Sequence, residues 1–273
     1  MAILCGIPPN LHDTFIKMTK DENNDFISEF DAIKVQPQSG DILMIQGESK
    51  SSKFLSAIQR PTYFKARSSH IALIHADFMC IDAMPKSGVR HVTLPDILPN
   101  DLSRFKIMRL KSLTSDDIQS LMSNLGYFLE QPYKISPSRA PAKNFSYCSE
   151  LARKIYKMSK IKKTGIHNGI IISPADFDKL LDNSKEWEDI TDQLMPYIDF
   201  CVKYGPIINN ISKHFTTGFK LNKQRYLERK EYKRSVRKDD RLSPESKKKI
   251  LDKIEKFENG LHHKFWDIDQ MTK

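Results

Sequence analysis

The chain has 273 residues, 39% hydrophobic and 10% aromatic, with a net charge of +10. That is enough apolar material for a sizeable core, which excludes wholesale disorder, and no run approaches the roughly 18 consecutive apolar residues that cross a bilayer. Four dispersed cysteines (Cys5, Cys80, Cys148, Cys201) form no CxxC pair, so neither a zinc ribbon nor a disulfide scaffold is expected and a reducing compartment is the default.

The start, Met1 to Pro8, lacks the basic n-region and apolar length of a secretory signal, which predicts a cytoplasmic location where the chain is made. Residues 9–35 read as one or two short helices ending near the turn Pro37-Gln-Ser-Gly40. Asp41 to Gln46 is a short apolar strand, and Ser51 to Gln59 a short amphipathic helix. His70–His75 and Phe78–Ala83 read as two strands of a hairpin, followed by strands at Val89–Leu94 and Phe105–Leu110. Thr114 caps a helix running to about Glu130; after a Pro- and Ser-rich loop, a second helix runs from Cys148 to about Lys157. Ser159–Gly169 is a loop, and Ser173-Pro174-Ala-Asp176 opens a further helix. Antiparallel strands grouped apart from helices indicate an α+β fold.

The charge is concentrated at the end of the chain. Residues 211–273 carry about 18 basic and 10 acidic side chains, leaving only about +2 on the first 210. Lys220–Lys238 is helical by propensity, Asp239-Asp240 breaks it, and Ser243-Pro244-Glu245 starts a second helix. Ile250, Leu251, Ile254, Phe257, Leu261 and Phe265 recur at helical spacing, which predicts a hairpin with a face to bury. The other reading is a polybasic contact for an anionic surface; interleaved glutamates argue against a dedicated nucleic-acid binder. Adjacent residues of a helix point apart, so His262-His263 makes no metal site, and no metal or other cofactor is expected.

Asn144-Phe-Ser-Tyr-Cys148-Ser-Glu150 places a cysteine at a helix start. There the macrodipole and free backbone N–H groups favour thiolate over thiol, and the same N–H groups suit the oxyanion of a tetrahedral intermediate. Such a nucleophile needs a histidine partner and a polar group to orient it.

Around it stand, in order, Gly40-Asp-Ile-Leu, a helix ending Ala57-Ile-Gln59, Ser69-His70-Ile-Ala-Leu-Ile74, Ile81-Asp82-Ala83, Gly88-Val89, Tyr147-Cys148-Ser-Glu-Leu151 and Ser173-Pro174-Ala-Asp176. Over residues 38–180 this order resembles the permuted papain-like family of YaeF/YiiX type, related to NlpC-type cell-wall peptidases and to lecithin retinol acyltransferase. The resemblance implies an antiparallel sheet packed on the Cys-bearing helix, with the His-bearing strand earlier in the chain. Its residues become Cys148 as nucleophile, His70 as general base, Asp82 as third member where many relatives have Glu, and Tyr147 as a substrate-binding side chain.

The domain expectation is a helical extension over 1–37, the catalytic domain over 38–200 and a basic helical extension over 201–273. The resemblance implies a thiol hydrolase acting on a peptide, peptidoglycan or N-acyl amide, with acyl transfer or thioester cleavage by the same residues as the alternative. A non-catalytic basic binding module is a third reading. A cell-wall substrate would require non-classical export, as for a secreted bacterial effector.

Overall fold

The computed structural model describes residues 1–47, 63–136 and 144–261; the helix expected over Ser51–Gln59 lies outside them, as do Phe265 and the His262-His263 pair. Residues 1–214 and 215–273 form two compact units.

The first unit is built on six strands: β1 (Ile42–Ile45), β2 (His70–Ala76), β3 (Met79–Met84), β4 (Gly88–Thr93), β5 (Phe105–Leu110) and β6 (Trp187–Asp189). They form one antiparallel sheet in the order β4-β3-β2-β1-β5-β6. Strand alternation sends Leu43, Ile45, Ala72, Ile74, Cys80 and Ile107 to one face. That face forms a single cluster with Phe15 of α1 (His12–Thr19), Phe26 of α2 (Asp25–Asp31), and Leu194, Tyr197, Ile198 and Cys201 of α7 (Thr191–Lys203). The N-terminal helices thus share the core of the sheet.

The opposite face carries α4 (Ser115–Tyr127) and α5 (Cys148–Met158), both packed on β2. Leu121, Leu125, Leu151, Ala152 and Ile155 are fully buried there, each large side chain contributing roughly 1.5–3 kcal/mol. Thr114 makes a capping box with Asp117 at the start of α4, and Ser173 makes one with Asp176 at α6 (Pro174–Asn183). A short turn of helix, α3 (Leu94–Ile97), takes up the Pro/Asp-rich connection after β4.

The edge of β4 is covered by the segment after α4: Val89 N–H donates to the Gln131 carbonyl (2.8 Å) and Glu130 N–H to that of Val89 (2.9 Å). Gly88 permits this approach. Its φ is +69°, and a Cβ there would stand 2.3 Å from the Gln131 carbonyl oxygen.

In the second unit, the C-terminal part of α8 (Gly205–Lys238) and α9 (Pro244–Asn259) meet through Glu258, which pairs with Lys233 (2.8 Å) and Arg229 (3.4 Å). The apolar face expected on α9 is only half covered: no α9 residue is fully buried and Phe257 is 59% exposed. Among the described residues no helix is long and apolar enough to cross a membrane.

Candidate active site

Cys148 is the first residue of α5. The preceding Tyr147 is extended and its side chain does not cap the helix. The approach to the cysteine is fixed from below by Lys154, which is buried and donates to the Phe145 carbonyl and to Ser146 Oγ (2.9 Å). Burial lowers the Lys154 ammonium to about 8. Ser146 N–H donates in turn to the Pro132 carbonyl (3.1 Å) and Lys134 N–H to the Ser146 carbonyl (3.2 Å), so the 131–134 segment and the nucleophile's approach are stitched together.

His70 is the first residue of β2. Asp178 of α6 holds the chain just before it, accepting from Arg67 N–H (2.7 Å), Ser68 N–H (2.9 Å) and Ser68 Oγ (2.7 Å). Ser69 N–H donates to the Ile45 carbonyl (2.9 Å), which fixes the strand start against β1. In the β2–β3 register Asp82 pairs with Ala72, and Ala72 shares a face with His70, so Asp82 stands one diagonal step from the imidazole. His70 Nε2–H donates to Asp82 Oδ2 at 3.1 Å. The ring also lies close enough to Cys148 for each of the two groups to shift the other's ionisation.

Burial works against charge on all three side chains, yet their mutual contacts outweigh it. The His70 imidazole is raised to about 9 by Asp82 and Cys148. The Cys148 thiol is lowered by His70, with a smaller contribution from the Ile71 backbone N–H. The Asp82 carboxyl is lowered by His70 and Arg90. The group therefore favours a thiolate–imidazolium pair backed by a carboxylate. Cys80 and Cys201 are the opposite case: buried without such partners, their thiols are pushed up.

The structure thus brings Cys148, His70 and Asp82 together. Tyr147, next to the cysteine in the chain, is 6% exposed, and its hydroxyl accepts the Ile172 N–H at 3.2 Å. Glu150 is turned away into a buried ion pair with Arg153, whose Nη1 also donates to the Gly169 carbonyl (2.6 Å).

Two further side chains reach this group without having been singled out from sequence. Arg90 on β4 grips Asp82, with Nε 3.0 Å from Oδ1 and Nη2 3.4 Å from Oδ2. Tyr133, half-buried, has its phenol pushed up to about 12 by burial and by the nearby Cys148. Arg90 was visible in the sequence only as a charge on the next expected strand; that it faces Asp82 comes from the register. His91 lies elsewhere, stacked on His75 with Nε2 2.8 Å from its Nδ1. Among the described residues no three His, Cys, Asp or Glu side chains are grouped as a metal ion would require.

A helix-borne cysteine facing a strand-borne histidine that precedes it in the chain defines a permuted papain-like arrangement. Residues 36–188, more than half of the chain, match the family described as permuted papain-like amidase enzyme, YaeF/YiiX, C92 family, and the chain belongs to that family. A crystal structure described as metalloprotein yiiX from Escherichia coli O157:H7 is similar at 23% identity and a TM-score of 0.40, over 57% of this chain and 88% of that one. Comparison with curated proteins gave no match.

Proposed function

We propose that this amidase-family chain is a cysteine amidase in which Cys148, His70 and Asp82 form the reacting triad. The observation that carries the reading is His70, hydrogen-bonded to Asp82 and close enough to Cys148, at the start of α5, to lower its thiol. The Cys148 thiolate attacks the amide carbonyl carbon, and the oxyanion is met by backbone N–H groups at the uncapped start of α5. The His70 imidazolium gives its proton to the leaving amine as the C–N bond breaks, leaving a thioester on Cys148. His70, now neutral, takes a proton from water as that water attacks the thioester, releasing the carboxylic acid and regenerating the thiolate–imidazolium pair. Asp82 orients the ring and balances its charge. Tyr147 forms a wall of the substrate pocket, with its O–H still able to donate.

Within this reading the substrate is a peptide-type or N-acyl amide, of which peptidoglycan stem peptides are one kind. The test is the release of free amine from purified peptidoglycan and from a panel of N-acyl amides by the intact chain and by Cys148→Ala. The reading expects activity from the intact chain on one of these substrates, abolished in the variant without loss of folding. Activity within about tenfold of wild type in Cys148→Ala would overturn it. Adding an amine or alcohol acceptor separates hydrolysis from transfer: an acylated acceptor in place of free acid would assign the same thioester to an acyltransferase.

A further inference from the structure

The proposed triad leaves a charge unbalanced. With Cys148 as thiolate, His70 as imidazolium and Asp82 as carboxylate, a group that is almost wholly out of water carries a net negative charge; Asp82 is 1% exposed. Burying an uncompensated charge is costly, so a cation is required nearby. Arg90 supplies it. Its position follows from the strand register, in which Asp82 pairs directly with Arg90 across the β3–β4 hairpin. Its two contacts hold both carboxylate oxygens, Nε on Oδ1 and Nη2 on Oδ2, while Oδ2 also receives His70 Nε2–H. An aspartate held at only one oxygen can rotate about its terminal torsion, which is broad and two-fold. Held at both, its carboxylate plane is fixed.

We propose that Arg90 is a positioning residue of the active site, locking Asp82 so that it holds the His70 ring toward Cys148. The assignment rests on the reading of Cys148 and His70 as the reacting pair and adds to it a fourth, outer member. It also accounts for an aspartate at this place. The side chain is one methylene shorter than glutamate, and the arginine from the outer strand secures it in reach of the ring. The other titratable groups that couple to this line are Cys80, whose buried thiol is pushed up in part by Asp82, Tyr133 and Tyr147, which feel Cys148, and the Glu150–Arg153 pair, which acts on Tyr147. Among the described residues, Arg90 and His70 are the two charged side chains hydrogen-bonded to Asp82.

The test needs no substrate. Iodoacetamide alkylation of Cys148 is followed by peptide mass spectrometry across pH in the wild type, Arg90→Ala, Arg90→Lys, Asp82→Asn and the Arg90→Ala/Asp82→Asn double variant. Alkylation tracks thiolate, so its low-pH rise reports ionisation of Cys148 opposite His70. The proposal expects Arg90→Ala to move that rise to higher pH by about one pH unit, a tenfold loss of thiolate at a fixed lower pH. Arg90→Lys should not restore the wild-type profile, because an ammonium lacks the planar fork. In the Asp82→Asn background, Arg90→Ala should add nothing.

An unmoved rise in Arg90→Ala would overturn the proposal. So would full rescue by lysine, which would make Arg90 a mere counter-charge, or an undiminished shift in the Asp82→Asn background, which would mean Arg90 acts without Asp82. Arg90 is 42% exposed at its side chain, so the variants are expected to melt within a few degrees of wild type. Should Cys148→Ala keep amidase activity, the proposed function fails. The alkylation series would still show whether Arg90 acts through Asp82.

Discussion

At the scale of single residues, the chemistry is set by opposed effects on buried groups. Burial alone would leave Cys148 a neutral thiol, as it does Cys80 and Cys201. His70 reverses this because a cation beside the sulfur lowers its pKa while the thiolate and Asp82 raise that of the ring. The sign of the pH dependence follows. The ion pair is lost below the lowered pKa of Cys148, where the sulfur takes a proton, and above about 9, where His70 loses one. Hydrolysis should therefore follow a bell whose alkaline limb lies near pH 9; a limb near 6.5, the ordinary histidine value, would show that His70 is not held by these partners. His70→Ala removes a general base and acid worth about 10²–10⁴-fold, and Asp82→Asn should cost measurably less. An Asp82→Asn rate equal to wild type would place the third member elsewhere. His91 is not that member in this structure, since its ring is stacked on His75.

At the scale of elements, the site is assembled where three separate pieces of backbone are pinned. Asp178 pins the start of β2, Lys154 and Ser146 pin the entry to α5, and Gly88 admits the segment that carries Tyr133 alongside β4. Gly88→Ala brings a Cβ against a backbone carbonyl that cannot swing aside, at a residue with positive φ. It is expected to cost more than about 1 kcal/mol of stability, read by chemical denaturation, and to lower activity by displacing Gln131–Tyr133. A variant as stable and as active as wild type would show that this edge contact does not matter.

Much of this level was legible in the sequence. Short apolar runs bounded by turns marked β2 and β3, and Thr114, Ser173 and Ser243 announced their helices through capping side chains. What escaped had physical reasons. The three-residue β6 is too short to show a period. In α7, Pro196 sits inside the helix and reads locally as a breaker. The Arg90–Asp82 grip depends on exact hairpin register, which strand boundaries read from sequence do not supply.

At the scale of the whole molecule, among the described residues the cluster joining α1, α2, α7 and the sheet extends along the chain no further than Ile208. The excess positive charge lies further on, and exposed Lys220, Arg225, Lys230, Arg234, Lys248 and Lys249 are spread along α8 and α9. Removing residues 219–273 is expected to leave the main melting transition within about 3 °C and turnover of a small amide unchanged. Binding to anionic vesicles should fall, and the lost part should be the part that salt suppresses, given a screening length of about 8 Å at physiological ionic strength. A fall in melting temperature well beyond that, or vesicle binding insensitive to both truncation and salt, would assign the hairpin a structural role.

The central claim is that Cys148 is activated by His70, and the most direct measurement is the pH dependence of Cys148 alkylation in the wild type and in His70→Ala. The account predicts that the wild-type thiolate appears below the ordinary thiol range of about 8.5, and that in His70→Ala it appears only at or above that range. Coincident profiles for the two proteins would contradict it.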